Sequence, residues 1–289
     1  MRHHFLFFQA FTICLVVTIG SIDRAYGQFE TTITAGSWTA FLPGYDDLPN
    51  ATIDDADQSG LGGRVRIQSQ YDFESTRTIA EFRATIAGAE MGTERFSTSA
   101  TGTALASTLK SQVIYNDVFI GLRDKFDLTN LGLGHVTLGV GFSHMHFDQS
   151  FHWDGNDGTA NNSIAIDETI QSSYVGGEIV GSMTRTCFGK QIYLDGSVGM
   201  YDLDADFRGN AIFIAGGAPI PINFVDTFSD VAYTFNLTLK TDMRFAGANI
   251  RPTTGIQYIS SMPGITADNG PFLRKDDAFI LNGGWEFIF

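Results

Sequence analysis

Cysteine, proline and charge are all scarce in this chain: of 289 residues two are Cys and seven are Pro, and charged side chains make up 17%. Cys14 lies in an apolar stretch near the amino terminus, which leaves Cys187 without a partner and excludes a disulfide scaffold in the processed chain. Positive charge is scarcer still. Against 32 Asp and Glu stand 18 Lys and Arg, a formal charge of -14, which is the wrong balance for gripping a nucleic-acid backbone. After residue 20 no apolar run reaches the roughly 18 to 20 residues that a membrane-spanning helix needs. Low charge does not signal disorder here, because 25 Phe and 13% aromatic residues are foreign to disordered chains. Phosphate-binding and dinucleotide fingerprints, H-E-x-x-H and a Gly-flanked nucleophilic Ser are also missing; these are the motifs of soluble enzymes, and without them no cofactor is expected and catalysis is the minor expectation.

What is present begins with a leader. Arg2, the apolar stretch 5–19 and the small residues Ala25 and Gly27 read as a secretory signal peptide over residues 1–27, with the mature chain, 28–289, as one domain. An uncleaved anchor is the alternative, but Gln9 interrupts the apolar run and no stop-transfer pattern follows.

Beyond the leader, apolar residues recur at every second position, the spacing of strands. Val231, Tyr233, Phe235, Leu237 and Leu239 share one face, with Thr234, Asn236, Thr238 and Lys240 on the other. Val65, Ile67, Tyr71 and Phe73 oppose Arg64, Arg66, Gln68, Gln70 and Asp72 in the same way. Between residues 135 and 142, Val136, Leu138, Val140 and Phe142 oppose Thr137, Gly139 and Gly141, and such small side chains predict crowding on their side. The pattern predicts ten strands, at 33–41, 64–73, 77–87, 109–127, 135–147, 164–184, 191–201, 226–243, 249–260 and 277–289. Their connections alternate. Long loops are expected at 43–63, 88–108, 148–162, 202–225 and 261–276, and short ones at 74–76, 128–134, 185–190 and 244–248. Long loops at one end and short turns at the other are the asymmetry of a membrane barrel, whose strands need about 9 to 11 residues to cross.

The reading is therefore an all-β fold, a transmembrane antiparallel up-and-down β-barrel of about ten strands, with eight to twelve admissible. An exported soluble β-sandwich shows the same alternation. The last segment favours the barrel. Phe279, Leu281, Trp285, Phe287 and Phe289 face one way, Asn282 and Glu286 the other, and so apolar a strand left as a free edge would invite aggregation.

These residues resemble the Gram-negative outer-membrane β-barrels, in which a last strand ending in Phe serves as the insertion signal; Trp285, Phe287 and Phe289 carry the match. A narrower resemblance rests on V-G-F-S-H-M-H-F-D-Q-S-F from Val140 to Phe151, S-Y-V-G-G-E from Ser173 to Glu178 and I-Y-L-D-G-S-V-G from Ile192 to Gly199. These are similar to successive strands of the planctomycete and Legionella-type pore-forming outer-membrane family, with Ser143 where that family carries Arg. The resemblance implies location in the cell outer membrane, contact with its lipids and glycolipid, and delivery by the outer-membrane assembly machinery; a homo-oligomer is compatible with it.

The inward face is expected to carry Arg64, Arg66, Arg83, Lys240 and Arg251 with Glu81 and Glu286, which either cross-pair and plug the interior or line a narrow passage. A porin-like channel for small solutes or ions is the first expectation. A closed structural or adhesive barrel is the second, since the predicted long loops hold 15 acidic residues and four basic ones, a composition that attracts divalent ions or bridges to surface glycolipid. Metal ligation is a weaker expectation. His144 and His146 share a strand face, and Asp55 and Asp57 open a calcium-loop-like run whose twelfth position is Arg66 rather than Glu. Interfacial histidines and an ordinary acidic loop are the plainer readings.

Overall fold

A computed structural model describes residues 27–46, 56–73, 76–100, 103–131, 134–159, 161–245, 248–266 and 271–289. The leader lies outside them save for Gly27. The chain forms β1 (Gly27–Asp46), β2 (Ala56–Phe73), β3 (Thr78–Ala100), β4 (Thr103–Leu128), β5 (Gly134–Asn156), β6 (Asn162–Cys187), β7 (Lys190–Ala215), β8 (Ala218–Thr241), β9 (Met243–Phe245), β10 (Ala248–Thr266) and β11 (Phe272–Ile288). Neighbours in sequence pair antiparallel, β8 and its three-residue continuation β9 both pair with β10, and β11 closes on β1 from Thr32↔Ile288 to Phe41↔Phe279. The result is a ring of ten long strands, the form in which a sheet has no free edge.

Each predicted strand falls on an observed one, but the strands are longer. The spans 88–108, 148–162 and 202–225, expected as long loops, are largely paired strands, out to Ala100↔Thr103, Asn156↔Ser163 and Ala215↔Ala218; β7 and β8, for example, pair without interruption from Ile192↔Thr241 to Ala215↔Ala218. The cause lies in β7. Its outward side chains run Leu194, Val198, Met200 and then Asp202, Asp204, Asp206, Arg208, while its inward ones run Asp195, Ser197 and then Tyr201, Leu203, Ala205, Phe207. The period of two never breaks; the polarity inverts. Asp202, Asp204 and Asp206 are outward positions of a strand rather than loop residues, because Leu203 and Ala205 between them and Phe207 just beyond are buried.

The same inversion recurs in β5, where Val136, Leu138, Val140 and Phe142 give way outside to His144, His146, Asp148 and His152, and inside Thr137 and Gly141 give way to Met145, Phe147, Phe151 and Trp153. The barrel therefore has two halves. Toward the short turns the wall is apolar outside, with Val140 64% and Met200 60% exposed, and this belt is the lipid-facing surface of a membrane barrel. Toward the far end the wall is mainly polar outside, with apolar exceptions such as Ile212 and Val225, and packed inside with Phe96, Leu105, Leu109, Ile166, Ile170 and Phe207, as in a soluble protein. From Asp202 to the tip of β7 this second half extends along roughly 40 Å of strand.

Two irregular segments finish the far end. Ser261, at φ 58°, sits in a bulge between Ile259 and Met262, beyond which Met262 and Ile265 are both fully buried. Past Phe41, β1 leaves β11 and pairs parallel with β10 at Tyr45↔Ile265 and Asp46↔Thr266. Tyr45 is fully buried against Phe151 and Trp153, so the end of β1 is a strap inside the barrel mouth.

Candidate functional site

Within the apolar belt the alternate positions of every strand must face the lumen, and the polar half of the alternation collects there. Arg64 and Arg66 on β2, Glu81 and Arg83 on β3, Lys240 on β8, Arg251 on β10 and Glu286 on β11 all project into the interior. Three groups of ion pairs fill it. The Arg83 guanidinium sits 3.3 Å from Asp117, donates to both oxygens of Glu178 at 3.1 Å and lies 4.6 Å over the Phe119 ring. Tyr201 donates to Glu178 at 2.6 Å and Ser143 donates to Asp117 at 3.2 Å. Below, Arg123 pairs with Glu81, which also accepts from Gln68 at 3.0 Å. Nearer the short turns, Lys240 bridges Asp195 at 3.0 Å and Glu286 at 2.6 Å, and Arg251 bridges Asp242 at 2.8 Å and Glu286 at 3.3 Å.

Because Arg83 on β3 reaches Glu178 on β6, the pairs tie strands that are not neighbours in the ring. In the first two groups the side chains are almost wholly buried, Glu178 at 1% and Glu81 at 0% exposure, whereas Asp195 and Asp242 of the third are partly exposed. Burial of this kind adds little net stability, but removal of one partner strands the other charge. The glycines of β5 belong to the same construction. A Cβ at Gly141 would overlap the Phe119 ring, so the small residue makes room for the aromatic platform beneath Arg83.

Above the ion pairs lies an aromatic layer. Trp38 stacks on Tyr115 at 6.1 Å, Tyr115 meets Phe147 at 4.7 Å, and Phe147 meets Tyr174 at 5.8 Å. The apolar core and the β1 strap follow. The belt holds a cavity of about 50 Å³ beneath Trp38, lined by Arg64, Arg66 and Arg83, and another of about 230 Å³ toward the short turns, lined by Glu30, Gln70, Tyr193 and Arg251.

The other sequence candidates fall elsewhere. His144 and His146 point outward just beyond the belt, His144 hydrogen-bonded to Ser173 at 3.0 Å. Among the described residues no group of three His, Cys, Asp or Glu side chains is arranged to hold a metal ion. His152, also outward, lies 2.6 Å from both Asp167 and Asp154; the Asp167 hydrogen bond, helped by the charge of Asp154, raises its affinity for a proton. Asp55 and the Asp57 side chain lie outside the described residues, and β2 already begins at Ala56. Trp285, Phe287 and Phe289 lie on the outer face at the short-turn end, Trp285 45% and Phe289 74% exposed.

Sequence reasoning did not single out Asp117, Glu178, Arg123 or Tyr201, all central to the interior network. Their signal was available: each is a polar group at an inward position of a strand whose outward neighbours, such as Val118 and Ile120 or Val175 and Ile179, are apolar. Glu168 was also missed. It sits in the apolar half between Phe151 and Gly209, one carboxyl oxygen has no hydrogen-bond partner, and burial pushes its pKa up to about 8.

No family model and no curated sequence matches the chain. Among solved structures it is similar to the outer membrane protease OmpT from Escherichia coli, with 9% identity over 90% of this chain and 96% of that one at a TM-score of 0.47. It is similar also to the translocator domain of the autotransporter NalP from Neisseria meningitidis, with 9% identity, 99% and 97% coverage and a TM-score of 0.41. An anion-selective porin from Comamonas acidovorans follows, with 8% identity, 91% and 99% coverage and a TM-score of 0.19. Likenesses this distant assign no activity. Strand order, closure and the apolar belt themselves define the class, an all-β antiparallel up-and-down barrel of the membrane-spanning type.

Proposed function

We propose that this protein is a closed barrel of the bacterial outer membrane that passes no solute and acts through the half standing beyond the membrane. One observation carries the reading: along the barrel axis the interior is occupied in succession by buried ion pairs, stacked aromatic rings and an apolar core under the β1 strap. Ten strands enclose little more than the width that side chains can fill. Incorporation of the folded protein into planar bilayers in concentrated salt tests it. A silent bilayer is expected, and stepwise conductance would return the protein to a porin-like channel for small solutes or ions. The observation favouring that second reading is the polar cavity of about 230 Å³ between Arg251, Gln70 and Glu30. In a channel, charge reversal at Arg64, Arg66 and Arg83 would shift the reversal potential.

Under the closed reading the acidic outer wall is the working surface. Asp202, Asp204 and Asp206 begin one position beyond Met200, at the depth of lipid headgroups, where divalent ions bridge carboxylates to phosphorylated glycolipid. Trp285, Phe287 and Phe289 are the contact for the assembly machinery, and deletion of Phe289 lowers the membrane-inserted fraction of newly made protein.

A further inference from the structure

We propose that Arg64 and Arg66 hold a small inorganic anion, of halide size, inside the barrel beneath Trp38. The two arginines lie two residues apart on one face of β2, so their Cα atoms are roughly 6.5 Å apart and both side chains line the cavity of about 50 Å³. Arg83 adds a third guanidinium to its wall. The carboxylates lining the same cavity are Asp117 and Glu178, and Arg83 already engages both. Among the described residues neither Arg64 nor Arg66 makes an ion pair. Arg66 donates to the Gln68 side-chain oxygen at 3.0 Å, and its buried Nε has no partner. A neutral amide oxygen does not balance a guanidinium, and two adjacent cations repel each other in a region from which water is largely excluded.

An anion resolves that imbalance, and the rest of the wall suits one. Thr238 and Asn282 add a hydroxyl and an amide donor to the wall, while the Asn236 and Gln257 amides already donate to Ser197 and to Tyr115 and Met145. Size selects the class. A water molecule needs about 10 to 15 Å³ of such space, so about 50 Å³ accommodates one monatomic anion with a few waters and rejects sugars, nucleotides and organic acids. The proposal goes beyond the closed-barrel reading and does not depend on it, since the same pair would bind anions in a conducting barrel.

The test uses the full-length mature protein folded in detergent micelles in sodium gluconate, whose anion is too large for the cavity, with sodium bromide exchanged in at constant ionic strength. Bromide is expected to raise the midpoint of thermal unfolding by roughly 3 °C or more, and R64Q and R66Q are expected to abolish that response. In gluconate alone each variant should be at least as stable as the unsubstituted protein, since it removes an unbalanced charge. Crystals grown with bromide should show an anomalous peak between the two guanidinium groups. Equal midpoints in the two salts together with no anomalous peak overturn the proposal, as does a bromide response that survives in both variants. Where a variant fails to fold, the anomalous peak in the unsubstituted protein decides alone.

Discussion

Glu168 concentrates several of the forces in this molecule in one side chain. Its carboxyl is buried, with a pKa pushed up to about 8, whereas in the unfolded chain it ionises near the ordinary value of 4.5. Between those two pH values the folded state keeps a proton that the unfolded state has lost, so stability falls as pH rises through this window and levels off above it. Glu168→Gln should therefore raise the unfolding midpoint at pH 9 relative to the unsubstituted protein, with the difference vanishing by pH 4; equal midpoints at pH 9 would refute the burial argument. Gly141 gives a second residue-scale test. Gly141→Ala sets a methyl group against the Phe119 ring and should cost about 1 to 3 kcal/mol, read from the midpoint of urea unfolding. Crowding at Gly139 and Gly141 was legible in the sequence as a run of small residues on one strand face. The identity of the crowding groups was not, because Phe119 at Gly141, and Leu122 and Arg123 at Gly139, come from the neighbouring strand.

Along a single strand the decisive feature is the inversion of polarity, and β7 shows it best. Val198 and Asp206 occupy the same outer face four positions of the alternation apart, yet one lies in the lipid-facing belt and the other beyond it. Val198→Arg should reduce stability in phospholipid vesicles by about 2 to 4 kcal/mol, while Asp206→Arg should stay within about 0.5 kcal/mol. Similar penalties at both sites would mean that the belt is misplaced. The network within the belt makes its own demand. Arg83→Gln leaves Asp117 and Glu178 facing each other without their shared cation, and a loss of about 3 to 5 kcal/mol is expected in the same measurement. Strand number and facing could be read from the period of two, since that period is a property of the backbone. Strand length could not, because a run such as Asp202 to Asp206 looks like a solvated loop until the burial of Leu203 and Phe207 reveals a second, inverted face.

As a whole the molecule is a membrane barrel carrying an inside-out continuation of itself, and its gross behaviour should follow from closure. Cell fractionation should leave the protein in the membrane through a carbonate wash, and an unboiled sample should migrate faster on a gel than a boiled one, as a compact closed sheet does. Release into the soluble fraction with no heat shift would contradict both the belt and the ring. The sequence by itself determined the all-β class, a count of about ten strands and the alternation that gives each strand an inner and an outer face, because alternation, aromatic content and the absence of long apolar runs are local properties. The tertiary structure decided the rest: that the predicted loops pair as strands, that the end of β1 folds into the mouth, that Arg83 meets Glu178 from across the ring, and that Arg64 and Arg66 are left to face a small cavity. Those outcomes depend on which residues meet across a closed circumference, and the register that brings them together belongs to pairs of strands rather than to any one of them.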